Sequence, residues 1–206
     1  MDQFDFKPLS DREHEKILEY IKLRIDEADP EKLRQAVFSI GWIEEGDELA
    51  EPLMLLVTEG KPEIAHIALE GLSQLESKYC EKPIARHIVD LFKRGDLAFR
   101  EVRSECIRVL GKVGTRRSVS FLAEIIRNSS LATEEDKEAA VEALVSLAER
   151  RVRGISGVLK ELHGLVSGVL KQAITCAIKE LNLQRWEEQG YLTIEADFKP
   201  EDDLLD

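Results

Sequence analysis

The chain has 206 residues, of which 43% are hydrophobic, 34% charged and only 6% aromatic, with 12 glycines and 6 prolines. This is long enough for one domain or a small repeat array, too apolar for a disordered chain, and too poor in turn residues for a many-stranded β-sandwich. A formal net charge of −12 excludes nucleic-acid binding on bulk charge, because neutralising phosphates requires clustered cations.

Met1-Asp2-Gln3-Phe4-Asp5 has neither a basic start nor an apolar core, so no secretory signal is expected, and residues 1–9 read as an N-terminal extension. The first amphipathic run, Ser10 to Glu27, opens on the capping box Ser10-Asp11-Arg12-Glu13. Asp29-Pro30 then places an N-cap before a proline at the first helical position, and the run it opens carries Ala36, Val37 and Ile40. Leu49 to Glu59 is followed by Lys61-Pro62 and a run bearing Ala68, Leu69 and Leu72. Lys82 to Lys93 precedes Asp96 to Gly114, whose Val102, Cys106, Ile107, Val109, Leu110 and Val113 keep one inward stripe. Gly111 and Gly114 close that run where a neighbour can approach and the helix can stop. Val119 to Asn128 comes next, then Thr133 with an acidic first turn (Glu134, Glu135, Asp136) leading into Ala140, Val141 and Leu144. Ile155 to Val166 and a last run containing Ala177, Ile178 and Leu181 complete the series.

These runs repeat. The apolar pairs Val37/Ile40, Leu69/Leu72, Ile107/Leu110, Val141/Leu144 and Ile178/Leu181 recur at intervals of 32, 38, 34 and 37 residues. The residue before each pair is Ala36, Ala68, Cys106, Ala140 or Ala177, small in every case, as closely stacked helices require at their crossing. The fold class expected is all-α: about ten helices as five antiparallel pairs over residues 10–186, with no sheet, and an acidic tail over 187–206.

The segment Asp96 to Gly114, with Val102-Arg103 and Leu110-Gly111, resembles the second helix of a HEAT repeat of the bacterial, phycobilisome-lyase-like type. Asp29-Pro30-Glu31 with Ile40-Gly41, and Pro62-Glu63-Ile64 with Ala68-Leu69, are looser matches. The resemblance covers roughly residues 10 to 183 and implies a right-handed α-solenoid. The Arg of the family pattern is matched by Arg103 alone; Leu33, Ala65, Lys137 and Ala173 stand at the equivalent places, so a stacked Asp/Arg ladder is mostly missing. The resemblance also implies two enzymatic alternatives, attachment of a bilin chromophore and excision of a DNA base. An acidic body argues against the second.

No residue pattern here carries catalysis. His14, His66, His87 and His163 fall on different repeats, so neither a metal nor another cofactor is expected. Gly154-Ile155-Ser156-Gly157 has the wrong spacing for a nucleophile elbow. Of three cysteines, Cys106 should be buried and inert, Cys176 adjoins the equivalent position, and Cys80, in a turn, is the one expected to react. Charge placement says more. Turns joining successive repeats fall along one edge, which runs from Glu44-Glu45-Gly46-Asp47-Glu48 to Arg116-Arg117 and then Arg150, Arg151 and Arg153. With Arg100 and Arg103 these arginines form the candidate binding set, and the expected ligand is a protein partner with an acidic surface or this chain's own acidic tail. Trp186, Tyr191, Leu192 and Ile194 could cap the last repeat, and Asp5-Phe6-Lys7-Pro8 recurs as Asp197-Phe198-Lys199-Pro200. The expectation is a cytoplasmic, non-catalytic interaction adaptor or regulator that binds neither nucleic acid nor membrane.

Overall fold

The computed structural model describes residues 11–27, 29–41, 46–127 and 132–188, with side chains except at 11, 14 and 183–188. The expected extension over 1–9, the capping box residue Ser10, His14 as a side chain, Glu44, Glu45 and the aromatic cap from Trp186 onward lie outside these. Among the described residues the structure has ten α-helices and no strand. They are α1 (Asp11–Glu27), α2 (Pro30–Ile40), α3 (Ala50–Glu59), α4 (Pro62–Leu75), α5 (Glu81–Arg94), α6 (Arg100–Val113), α7 (Arg116–Arg127), α8 (Glu134–Glu149), α9 (Ile155–His163) and α10 (Gly168–Glu188). Short 3-10 turns precede α3, α5 and α6.

Local chemistry accounts for most boundaries. Asp29 caps α2 by accepting a hydrogen bond from the Lys32 amide at 3.1 Å, and Pro30 and Pro62 occupy first-turn positions where a missing N–H costs nothing. Thr133 and Asp136 close a reciprocal capping box at the start of α8. The α7 boundary differs from the expectation: the helix begins at Arg116, not Val119. A carboxylate from outside the segment, Glu81 at the start of α5, accepts from Thr115 and Ser118 and so caps α7 across the stack.

The helices pack against their neighbours in the chain, α1 on α2, α3 on α4, α5 on α6, α7 on α8 and α9 on α10. The even helices also pack in series, α2 on α4, α4 on α6, α6 on α8 and α8 on α10, while α1, α3, α5, α7 and α9 form a second series. The core lies between these two layers. Ala36, Ala68, Cys106 and Ala140 are fully buried and Ala177 is 4% exposed, so every small position of the repeat sits at a packed face. The accompanying pairs from Val37/Ile40 to Val141/Leu144 are buried as well, whereas Ile178 and Leu181 are half-buried on the terminal helix. Each fully buried Leu or Ile contributes about 1.5–3 kcal/mol of transfer free energy.

The tightest approach is between α6 and α8. A Cβ added to Gly111 would lie 2.6 Å from the Ala143 Cα and 2.9 Å from its carbonyl oxygen, so backbone meets backbone there. About two turns nearer the start of both helices the Arg103 guanidinium, 6% exposed, gives Nε and Nη2 to the two oxygens of Asp136 at 2.9 and 2.7 Å. The Phe92 ring of α5 lies 4.6 Å from the guanidinium carbon. Asp136, fully buried, also accepts from Ser104 Oγ at 3.2 Å and from Thr133 N and Oγ1 at 2.8 Å each. Burial opposes the charged carboxylate, but the hydrogen bonds from Arg103 and Thr133 prevail and hold its pKa below the ordinary value.

Gly111→Ala should therefore destabilise the fold by about 1–3 kcal/mol despite the better helix propensity of alanine. Asp136→Asn, which strands a buried guanidinium, should lose about 3–5 kcal/mol. Urea unfolding followed by circular dichroism measures both. A loss below 1 kcal/mol for Asp136→Asn would contradict this account of the pair.

Candidate interaction surface

The seven arginines of the expected basic edge do not form one surface. Arg100 and Arg103 stand at the start of α6 and Arg116 just beyond its end, a separation of about 20 Å for a helix of 14 residues. Both of the first two are already engaged: Arg100 Nε lies 3.0 Å from Glu135 of α8, and Arg103 is the buried partner of Asp136. Arg103 is thus a structural residue, withdrawn from any ligand because its hydrogen-bonding fork is spent inside the core.

The other five cluster at the opposite ends of the helices. Arg116 and Arg117 open α7, and Arg150, Arg151 and Arg153 lie between α8 and α9. All five are exposed. Arg116 Nε comes within 3.8 Å of where a Cβ on Gly154 would stand, which brings the two connections side by side. Arg150 turns partly inward, giving Nη1 to the carbonyl oxygens of Gly111 and Gly114 at 3.0 and 3.2 Å and so capping the end of α6. Arg151 has a left-handed backbone, φ 57°, and Gly154 follows at φ 93°. The Val152 amide reaches back to the Leu147 carbonyl at 3.0 Å, closing α8 around that left-handed residue. Glycine would hold this position at roughly 1 kcal/mol less strain.

Arg24, Arg34, Arg100, Arg103, Arg108 and Arg127 each pair with a described carboxylate. Among the described residues no carboxylate lies within ion-pair distance of Arg116, Arg117 or Arg153, and the same holds for Arg12, Arg86 and Arg94 elsewhere in the stack. The first turn of α7 moreover holds two cations and no acid, against the sense of the helix dipole. The Glu81 carboxylate compensates, accepting from Thr115 N and Oγ1 at 2.9 and 2.8 Å and from Ser118 Oγ at 2.6 Å. Burial pushes its pKa up, yet the hydrogen bonds from Ser118 and Thr115 win and hold it below the ordinary value.

The acidic end of the expected charge gradient is in place where it is described. Asp47 and Glu48, with Asp26 and Glu51, line a groove of about 890 Å³ bounded by α1, α3 and α5, and Glu48 pairs with Lys22 at 2.9 Å. A second groove, about 390 Å³ and mainly apolar, lies between α5 and α7 over Phe92 and Phe121. The periodicity did not single it out; two aromatics on the outward-layer helices of a chain poor in aromatics were the signal available.

The cysteines correct the reactive-thiol expectation. Cys80 is 1% exposed and burial, aided by Asp47, pushes its thiol up to about 11, so it is inert; of the 3-10 turn that holds it, Cys80 alone is buried. Cys106 is buried as expected, with its thiol also pushed up, and Cys176 is the exposed one. His66 lies 3.9 Å from Glu101, His163 Nε2 is 3.1 Å from Thr175 Oγ1, and His87 is buried with Nε2 unpartnered. Among the described residues no three candidate ligands gather for a metal, and no helix is long and apolar enough to cross a membrane. The α9 helix ends at His163 rather than Val166, and residues 164–167 form the α9–α10 connection. No protein-family model matches the sequence, and no curated protein matches it.

Because the Glu81 carboxyl is held below its unfolded value, its contribution is complete above the ordinary carboxylate range near pH 4 and is lost as pH falls through its folded value. Glu81→Gln should cost about 1–2 kcal/mol at pH 7 and much less at pH 3. Denaturant titrations at the two pH values measure the difference; an equal loss at both would show that the charge of Glu81 is irrelevant to the α7 cap.

Proposed function

We propose that this chain is a HEAT-like, right-handed α-solenoid of five helix pairs that binds another protein without catalysing a reaction, in the cytoplasm. The docking site is the cationic edge of Arg116, Arg117, Arg150, Arg151 and Arg153, and its ligand is an acidic protein surface. What supports this reading is the cluster of five exposed arginines on two adjacent connections, in a chain whose net charge is −12. Two of them oppose the dipole of the helix they begin, and a third occupies a left-handed position that suits glycine. Stability alone selects against both placements, and local conflicts of this kind mark functional positions.

The series of small residues and the two-layer packing favour the solenoid reading, because stacked helix pairs expose a long edge with repeating connections. Four other arginines, Arg34, Arg100, Arg108 and Arg127, serve the stack itself, pairing with Glu63, Glu135, Glu142 and Glu161 of a neighbouring helix.

Replacing Arg116 and Arg117 together by glutamate should reduce capture of acidic partners from the native host at least fivefold at low salt, with the thermal midpoint unchanged within a few degrees. Raising salt to about 0.5 M should weaken the native chain in the same way, because exposed charges are screened. Quantitative pull-downs read both effects. Undiminished capture by the charge-reversed chain at low salt would reject this edge as the docking site.

A further inference from the structure

The last helix leaves the stack at the edge where the arginines gather. His163, closing α9, lies 3.1 Å from Thr175 of α10. Farther along α10, Ala177, Glu180 and Leu181 share one small cavity with Val145, Ala148 and Glu149 at the end of α8. From Thr175 to Leu181, α10 therefore runs from the end of α9 toward the end of α8, and it finishes on the side of the α8–α9 connection. The α6 helix finishes there too, since Arg150 caps the Gly111 and Gly114 carbonyls. From Leu181 to Glu188 the helix continues for two more turns, so it stands about 10 Å beyond the end of α8.

Residues 111–118 and 149–154 of that edge carry Lys112, Arg116, Arg117, Arg150, Arg151 and Arg153 against Glu149. Residues 195–206 have the opposite balance, with Glu195, Asp197, Glu201, Asp202, Asp203 and Asp206 against Lys199. The rest of the surface within range suits such a segment less well. Past the contact of Glu81 with Thr115, the same edge turns acidic at Asp47 and Glu48, beside Tyr79 and Cys80. The cations Lys93 and Arg94 close α5 at the opposite edge, a further helix length of about 20 Å.

We infer that residues 201–206 lie on the cationic edge of their own chain, with Glu201, Asp202 and Asp203 against Arg116, Arg117 and Arg153, and that an acidic ligand must displace them. Resting on the edge being an acid-binding surface, as proposed above, this contact sets what the edge holds when no partner is bound. The reach is sufficient. From Glu188 the path returns about 10 Å along the axis and crosses two helix spacings, α10 to α8 and α8 to α7, about 20 Å more. Residues 189–200 span about 40 Å when extended, so the acids arrive with slack. A short tether presents its segment at an effective concentration of the order of mM, against which a free partner has to compete. Exposed ion pairs are individually weak and are screened by salt, so the segment is a displaceable competitor and not a permanent lock.

A photoreactive phenylalanine analogue in place of Leu204 of the full chain tests the contact. Irradiation at low salt should give cross-links within one chain to residues 112–118 and 149–157, identified by peptide mapping. Arg116→Glu with Arg117→Glu should lower their yield at least about fivefold, and adding Asp202→Lys with Asp203→Lys should restore most of it. Arg116 and Arg117 are exposed, so their reversal leaves the fold intact, which circular dichroism checks. A fluorescent oligoglutamate peptide should also bind at least about threefold more tightly to the chain carrying Glu201→Gln, Asp202→Asn, Asp203→Asn and Asp206→Asn than to the native chain. Cross-links that map elsewhere, that join two chains, or whose yield ignores the charge at positions 116 and 117 would overturn the inference. Equal peptide affinity for the two chains would overturn it as well. Absent cross-links with charge-dependent partner capture reject only the tail contact. Cross-links to the edge with charge-independent capture keep the tail contact and reject only the partner site.

Discussion

The approach of α6 to α8 at Gly111 and Ala143 is the constraint on which the middle of the structure depends. No side chain larger than hydrogen fits at Gly111, and the resulting backbone contact brings the neighbouring groups of both helices within hydrogen-bond range. At the start of the pair it sets Arg103 against Asp136, with two parallel bonds at 2.9 and 2.7 Å. Towards the end of α6 it lets Ser146 reach the Gly111 carbonyl at 3.4 Å and Arg150 cap both Gly111 and Gly114. A buried ion pair is worth keeping only where geometry is this favourable, since desolvating two charges costs several kcal/mol per ion. The close packing supplies that geometry, and Phe92 beneath the guanidinium carries it through to α5.

Around this centre the molecule uses its arginines in two ways. Four, Arg34, Arg100, Arg108 and Arg127, bridge neighbouring helices on the surface, where each exposed pair contributes at most about 1 kcal/mol and serves mainly to order the long side chains. The cluster at the α6–α7 and α8–α9 connections is different. Its helix start is held by Glu81 from a neighbouring helix, and its turn accepts an arginine in a left-handed conformation. The stack is thus stable enough to carry cations where they do not help it, and that spare stability is what a docking edge requires. At the other end, the carboxylates beside Asp26 and Glu51 give the molecule a lengthwise charge contrast that would orient an approaching partner.

Helix positions, the repeat interval and the small residue at each crossing were legible in the sequence because all three are consequences of one local rule, the 3.6-residue period of an amphipathic helix packed on its like. Ala36, Ala68, Cys106, Ala140 and Ala177 could be named before any coordinates, and all five are buried. The capping chemistry of Asp29 and the proline starts of α2 and α4 were equally local. What the sequence did not disclose was the use of each charge. Arg103 and Arg116 read alike as cations near helix ends, yet one is inside the core and the other in solvent. The difference lies in residues 33 positions away or more.

The sequence by itself determined the helices and the faces they bury, because each of those depends on neighbours within a few turns. Tertiary structure alone decided that Asp136 would neutralise Arg103, that Glu81 would begin α7 three residues early, and that the Cys80 thiol would be sealed in. Those outcomes depend on which side chains from different repeats come within about 3 Å, and hydrogen bonds fall off too steeply with distance for any sequence period to fix them.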